Sequence, residues 1–263
     1  MPGRLQGKVA MITGGNSGIG EATAHRFAQE GATVVLLARR EPEGYAVQHA
    51  IRNAGGEACF IPCDVSDRSA VEAAVATAID RYGRLHVLFN NAGAGARATF
   101  PEESDEEWER VLRVNLTGTV LMCRAAWPHL TAAGGGVIIN MSSFAAVAGM
   151  SEAMREMTQV SPPSASYFAS KAGIEAFTRY LAGLGARHNI RVNCVRPGQI
   201  LTSRLTTAAG EHRHVRYFEV VQLLNGPGRA ADVANTVLFL ASEEARFLTA
   251  EIINIDGGAA GKL

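Results

Sequence analysis

Apolar runs and helical stripes alternate along the whole of this chain. Short apolar runs lie near residues 8–13, 33–37, 57–62, 86–90, 136–142, 190–195 and 251–255. Between them, apolar residues recur at helical spacing near 18–30, 41–54, 67–82, 105–131, 165–187 and 230–242. Strand and helix in strict alternation predict an α/β fold: a doubly wound parallel sheet of about seven strands with helices on both faces. In such a sheet the ligand crevice lies outside the carboxyl ends of the strands. The loops after the first, fourth, fifth and sixth strands would meet there. No repeat, low-complexity segment or interdomain linker interrupts residues 1–263, so a single domain is expected.

The first strand runs into Thr13-Gly14-Gly15-Asn16-Ser17-Gly18-Ile19-Gly20, and a helical pattern follows. A strand, a glycine-rich turn and a helix N-terminus make a phosphate cradle. Glycine lets the backbone approach a pyrophosphate, and the first-turn amides and helix dipole attract it. The glycines are spaced G-x-x-x-G-x-G, and alone this is weak evidence.

Further along, Tyr167 and Lys171 are four residues apart in a helical stretch, so they share a helix face. A phenol ordinarily titrates near pH ~10. A fixed ammonium beside it favours the phenolate and lowers that value. The pair would then serve as a general acid/base for a carbonyl or an alcohol. The plainer alternative is a buried aromatic next to a surface lysine.

Taken together, these segments resemble the short-chain dehydrogenase/reductase family over essentially the whole chain. Thr13-Gly14-x-x-x-Gly18-Ile19-Gly20 is similar to the family's cofactor loop, with Asn16 and Ser17 inside it. Asp64, followed by Val65, matches the acid at the adenine ring. Asn90-Asn91-Ala92-Gly93 matches the motif that ends the fourth strand. Asn115, Ser143, Tyr167 and Lys171 match the catalytic tetrad. Asn193, Pro197-Gly198 and Thr202, with Ile200 between, match the segment that passes the nicotinamide, and Asp256-Gly257-Gly258 matches the terminal motif. The resemblance implies hydride transfer between a nicotinamide and a carbonyl or alcohol carbon. Tyr167 would exchange the proton. Lys171 would lower the phenol's pKa and hold the nicotinamide ribose. Ser143 would hydrogen-bond the substrate oxygen, and Asn115 would position a water leading from Lys171 to solvent.

The cofactor is read from the end of the second strand, Ala38-Arg39-Arg40-Glu41. An NAD site usually places Asp or Glu there for the ribose 2′-hydroxyl. Here Ala38 stands at that position and two guanidinium groups follow, which suit a 2′-phosphate. NADP(H) is therefore expected, with NAD(H) as the alternative.

Two segments depart from the regular pattern. Tyr167 follows Ser143 by 24 residues. In the family this interval is usually about half as long. The insert near 144–166 carries Met150, Met154 and Met157 at the spacing of one helical stripe, then prolines and serines that end it. An adaptable apolar wall over the substrate is expected, with a surface elaboration as the alternative. The second segment, 203–225, matches the family's lid over substrate and nicotinamide. Its Glu211-His212-Arg213-His214-Val215-Arg216-Tyr217-Phe218 would attract an acidic substrate or form a solvated helix face.

Composition limits the partners. Lys plus Arg and Asp plus Glu number 25 each, so nothing points to nucleic acid or to an anionic membrane. No apolar stretch reaches transmembrane length, and the N-terminus lacks an apolar signal core. Cys59, Cys63, Cys123 and Cys194 show no C-x-x-C spacing and are read as reduced cysteines of a cytoplasmic protein, with no metal site. The helices at 105–131 and 165–187 carry Val120, Ala125, Trp127, Ala172, Ala176, Phe177 and Leu184. In the family these helices pack against a symmetry mate, so a homo-oligomer, tetramer or dimer, is expected. The expected reading is an oxidoreductase acting on a small-molecule carbonyl or alcohol. A cofactor-sensing protein without chemistry would not require all four tetrad residues. Epimerisation or dehydration is the other alternative, and no space is evident for a separate substrate domain.

Overall fold

The computed structural model describes residues 3–203, 206, 210–211 and 214–259. Seven strands form one parallel sheet: β1 (Val9–Thr13), β2 (Thr33–Ala38), β3 (Glu57–Pro62), β4 (Val87–Asn90), β5 (Gly136–Met141), β6 (Ile190–Pro197) and β9 (Ile252–Ile255), in the order β3-β2-β1-β4-β5-β6-β9. The paired two-residue strands β7 (Ile200–Leu201) and β8 (Gly228–Arg229) lie apart from it.

The strands are apolar on both faces because both faces are covered. Ala10 and Ile12 of β1 join one core with Phe27, Val47, Ile51, Val237 and Leu238. These come from helices α1 (Gly18–Gln29), α2 (Glu41–Asn53) and α9 (Ala230–Ala241). Val9 and Met11, one residue out of step, join the other core with Val71, Val75, Leu121, Met122 and Leu181. Those belong to α3 (Arg68–Tyr82), α5 (Gly118–Ala132) and α7 (Ala165–Gly185). Alternate side chains of a strand point to opposite faces, so two buried faces demand a continuous apolar run.

Strand order reverses between β1 and β4, which places a crevice at their carboxyl ends. Gly14 and Asn91 begin the loops that leave these two strands.

The expected helix over 105–131 is two helices. α4 (Asp105–Leu112) and α5 are joined by a π-turn over Arg113–Thr117. Such insertions are common at functional sites, and this one contains Asn115. The insert forms α6 (Glu152–Thr158), capped by Ser151, whose side chain accepts a bond from the Met154 amide. Its predicted stripe is only partly realised. Met150 and Met154 pack on Phe144, Tyr217 and Phe218, whereas Met157 is 62% exposed. Tyr217 and Phe218 come from α8 (Val215–Val221), so the insert and the segment 203–225 share one small core. In the charged stretch Glu211–Phe218, Arg216 is exposed while Tyr217 and Phe218 are buried; His212 and Arg213 lie outside the described residues.

Of the expected oligomer surface, Ala125, Trp127 and Phe177 pack on the second core. Ala172, Ala176 and Leu184 are exposed on α7, as is Tyr180. Among the described residues, no helix is long and apolar enough to cross a membrane, and no cluster of His, Cys, Asp and Glu has the makings of a metal site.

Candidate active site

One cleft of about 590 Å³ runs along the carboxyl edge of the sheet. It is lined by Gly14, Asn16, Ser17, Gly18 and Ile19 from the glycine loop, and by Arg39 and Arg40 after β2. Asp64 and Val65 follow β3, and Asn91, Ala92 and Gly93 follow β4. Ser143, Tyr167 and Lys171 complete the lining with Pro197, Gly198, Ile200 and Thr202, the last of them against Gly18. Gly20 and Asn115, expected in the site, lie behind the wall instead. Gly20 is packed beneath the loop, and Asn115 is fully buried.

The glycine loop is tight for steric reasons. Gly14 has φ +64, and a Cβ on Gly20 would stand 2.2 Å from the Gly14 carbonyl oxygen. Asn91 braces the turn: its Nδ2 donates to the carbonyls of Thr13 at 2.9 Å and Gly14 at 3.2 Å. Thr13 Oγ1 accepts from the Asn91 and Ala92 amides at 2.9 and 3.0 Å. The N-terminus of α1 has no side-chain cap at Ser17. Asn16 Nδ2 is buried without a hydrogen-bond partner. Uncapped amides, an orphaned donor and backbone left open by glycine fit a dinucleotide pyrophosphate.

Charge gathers where the cleft passes β2. Arg40 Nη2 donates to Ser17 Oγ at 3.2 Å while its Nη1 pairs with Glu43 at 2.6 Å. Arg39 Nη1 stands 3.8 Å from Asp64 Oδ2 and the side chain is 70% exposed. Asp64 Oδ1 also accepts from the Ser66 amide at 2.9 Å and its hydroxyl at 2.7 Å. Cys63 lines the cleft as a neutral thiol, because burial and the nearby Asp64 and Asp67 push its pKa up to about 11.

At the opposite end, Lys171 is almost wholly buried and donates from Nζ to the Met141 carbonyl at 2.8 Å. Its ammonium is 5.6 Å from the centroid of the Tyr167 ring. Ser143 follows β5, and its Oγ accepts from the Ala145 amide at 3.2 Å. Asn115 Oδ1 accepts from the Ala94 amide at 2.7 Å, and its Nδ2 donates to the Ala94 carbonyl and to Ser170 Oγ, both at 3.0 Å. The π-turn thus aims the Asn115 amide between the loop after β4 and the helix that carries Tyr167.

A buried network supports this end from behind. Ser142 Oγ donates to Glu175 Oε1 at 2.7 Å. Arg196 grips the same carboxylate with two bonds, Nε to Oε1 at 2.7 Å and Nη2 to Oε2 at 2.6 Å. Glu175 raises the Arg196 pKa above its ordinary value through these contacts. The pair fixes α7 to β6 between Lys171 and Pro197. Asp256 packs under Gly198, where a Cβ would be 2.7 Å from the Asp256 Cβ. Asn193 does not reach the cleft. It sits inside β6, donates to the Leu248 carbonyl at 2.9 Å and accepts from the Glu251 amide at 3.1 Å.

Sequence reasoning missed several cleft residues: Leu37, Cys63, Val114, Met141, Ser142 and Ser203. Met141 ends β5 and Leu37 is next to last in β2, while Cys63 and Ser142 directly follow β3 and β5, so attention to the strand ends would have found these four. Val114 depends on the π-turn, which leaves no mark in the apolar pattern.

The same fold and motifs recur in known proteins. Residues 14–260 match the family model described as enoyl-(acyl carrier protein) reductase. The short-chain reductase protein NovJ of Streptomyces niveus is 38% identical over 258 residues, covering 96% of this chain and 94% of that protein. A 2,5-dichloro-2,5-cyclohexadiene-1,4-diol dehydrogenase, LinX of Sphingobium indicum, is 39% identical over 259 residues, covering 98% of each. A Burkholderia xenovorans chain assigned to the short-chain dehydrogenases/reductases superposes with a TM-score of 0.89 at 35% identity, covering 99% of both chains. The chain belongs to the short-chain dehydrogenase/reductase family. It is an oxidoreductase of the class that acts on alcohols and carbonyls.

Proposed function

We propose that the protein is an NADP(H)-dependent ketone or aldehyde reductase, working reversibly on the matching alcohol, with Tyr167 as its acid/base. One observation carries the reading: Ser143, Tyr167 and a buried Lys171 line the same cleft as the glycine loop and Arg39. Bound in that cleft, NADP(H) supplies or takes up the hydride.

In the reductive direction Tyr167 gives its phenolic proton to the carbonyl oxygen as that oxygen gains negative charge. Ser143 donates a hydrogen bond to the same oxygen, which stabilises the charge before the proton arrives. Lys171 stabilises the phenolate left behind; in a site of low dielectric a fixed cation acts strongly. The Met141 carbonyl holds that ammonium in place. Asn115 keeps α7 and the loop after β4 in register, and we assign it a supporting role at Lys171.

Preference for NADP(H) rests on Ala38, Arg39 and Arg40. No carboxylate ends β2, where an NAD site usually places one for the ribose 2′-hydroxyl; Asp64 and Glu43 stand nearby but are paired with Arg39 and Arg40. Arg40 reaches back to Ser17, bringing a cation to a glycine loop that has none of its own. The aromatic and methionine cluster begins at Phe144, next to Ser143. It supports a substrate with an apolar body beside its carbonyl.

The test is kcat/KM with NADPH and NADH over a panel of ketones, for wild type and Arg39→Asp. Wild type should favour NADPH by roughly tenfold or more, equivalent to about 1.4 kcal/mol. Arg39→Asp should reverse or erase that preference. A wild type that already prefers NADH contradicts the cofactor assignment.

A further inference from the structure

The helix that carries Tyr167 is held at its N-terminus by a carboxylate from a distant loop. Ser164 caps α7 and accepts from the Tyr167 amide at 3.3 Å. The next free amide, that of Ser166, donates to Glu103 Oε2 at 3.1 Å. The Ser166 hydroxyl donates to the other oxygen, Glu103 Oε1. Ser164 and Ser166 hydroxyls are themselves 3.0 Å apart, and both residues are buried. A carboxylate is the side chain that best satisfies first-turn amides and opposes the positive end of the helix dipole.

Glu103 closes a circuit around Tyr167. It lies near the end of the segment that leaves β4, in which Gly93 and Ala94 border Lys171 and Asn115. Asn115 ties Ala94 to Ser170, and Ser170 Oγ donates to the Tyr167 carbonyl at 2.9 Å. The segment is therefore fastened to α7 on both sides of the tyrosine: through Glu103 to Ser166, and through Asn115 to Ser170. From α4, Glu107 takes the Arg97 amide at 3.1 Å and Arg110 holds the Gly95 carbonyl at 2.8 Å. The segment is a strap fixed along its length.

We propose that Glu103 is a positioning residue for the Tyr167 acid/base, acting through Ser166 to set the rotation of the first turn of α7. This rests on the role proposed above for Tyr167. A displacement of about 1 Å in a reacting group is enough to cost ~10²-fold in rate. Removal of the clamp should therefore appear in kcat before it appears in binding.

The experiment measures kcat, KM and NADPH affinity for Glu103→Ala, Glu103→Gln, Ser166→Ala and the Glu103→Ala/Ser166→Ala double variant, with Tyr167→Phe as control. Glu103→Ala should lower kcat by roughly ten- to a hundredfold. KM and NADPH affinity should stay within about twofold, well under the tenfold that marks a real change in binding energy. Glu103→Gln should recover kcat to within about threefold of wild type, because its amide can accept from the Ser166 N–H and donate to the hydroxyl. In the double variant the two losses should not add, as for residues in direct contact. If Glu103→Ala does not fold, Glu103→Gln and Ser166→Ala decide: a near-native glutamine variant with a slower serine variant supports the clamp, and equal rates overturn it. An unchanged kcat in Glu103→Ala, an equal loss of NADPH affinity, or no recovery with glutamine also overturns it. Turnover persisting in Tyr167→Phe would instead overturn the function proposed above.

Discussion

The two ends of the cleft are built from different materials. The glycine-loop end is backbone and small residues placed by the sheet. Gly14, Gly20 and Asn91 interlock there with almost no side-chain freedom. Beyond Ser143, the molecule is elaborated with side chains that pack on each other away from the sheet. Phe144, Met150 and Met154 meet Tyr217 and Phe218 of α8, which lies in the segment 203–225. The first end allows one geometry and so suits a ligand common to many reactions. The second can be remodelled by changing length and apolar side chains without disturbing the strands. A fold that keeps one cofactor and varies its substrate would be divided in this way.

That contrast can be broken from either side. Gly20→Ala gives the larger expected effect. Its Cβ would meet the Gly14 carbonyl and Asn91 Nδ2, at 2.2 and 2.6 Å, so α1 must shift away from the loop. Overpacking of about 1–3 kcal/mol translates into roughly ten- to a hundredfold weaker NADPH binding. Titration of NADPH fluorescence measures it, and unchanged affinity would show the loop to be less constrained than the structure implies.

Shortening the insert between Ala148 and Ser164 probes the other end. The shortened protein should lose the Met150 and Met154 contacts with the aromatic cluster. NADPH affinity should then hold within about twofold, while KM moves by about fivefold and the ranking of ketones changes, as expected when about 1 kcal/mol of apolar contact is lost. A ranking identical to wild type would make the insert a surface elaboration.

The same division explains what could be seen in advance. The sheet was legible because β1, β2, β4 and β5 are buried on both faces and their residues say so in nearly continuous apolar runs. The glycine loop and the Tyr167/Lys171 spacing were legible because local geometry alone gives them meaning. The π-turn at Arg113–Thr117 was not, since the apolar pattern over 105–131 is unbroken and the extra residue is set by the bonds of Asn115 to Ala94 and Ser170. Met157 fits the stripe of Met150 and Met154 but is exposed, and Met150 precedes the start of α6 at Glu152, so the three do not share one helix face. Glu103 and Ser166 are 63 residues apart, and no spacing rule connects them. Asn193 kept its place in the motif, yet its amide serves the turn at 248–251 and not the cleft.

The central claim is that Tyr167 carries the proton while the rest of the cleft holds the cofactor. Tyr167→Phe tests it most directly, since only the phenolic oxygen and its proton are removed. NADPH should bind the variant within about twofold of wild type, well inside the tenfold that 1.4 kcal/mol represents. Its kcat on the best ketone should fall by about 10²–10⁴-fold. A variant that binds NADPH normally and keeps more than about a tenth of wild-type kcat would contradict the account, because a general acid/base is worth far more than that.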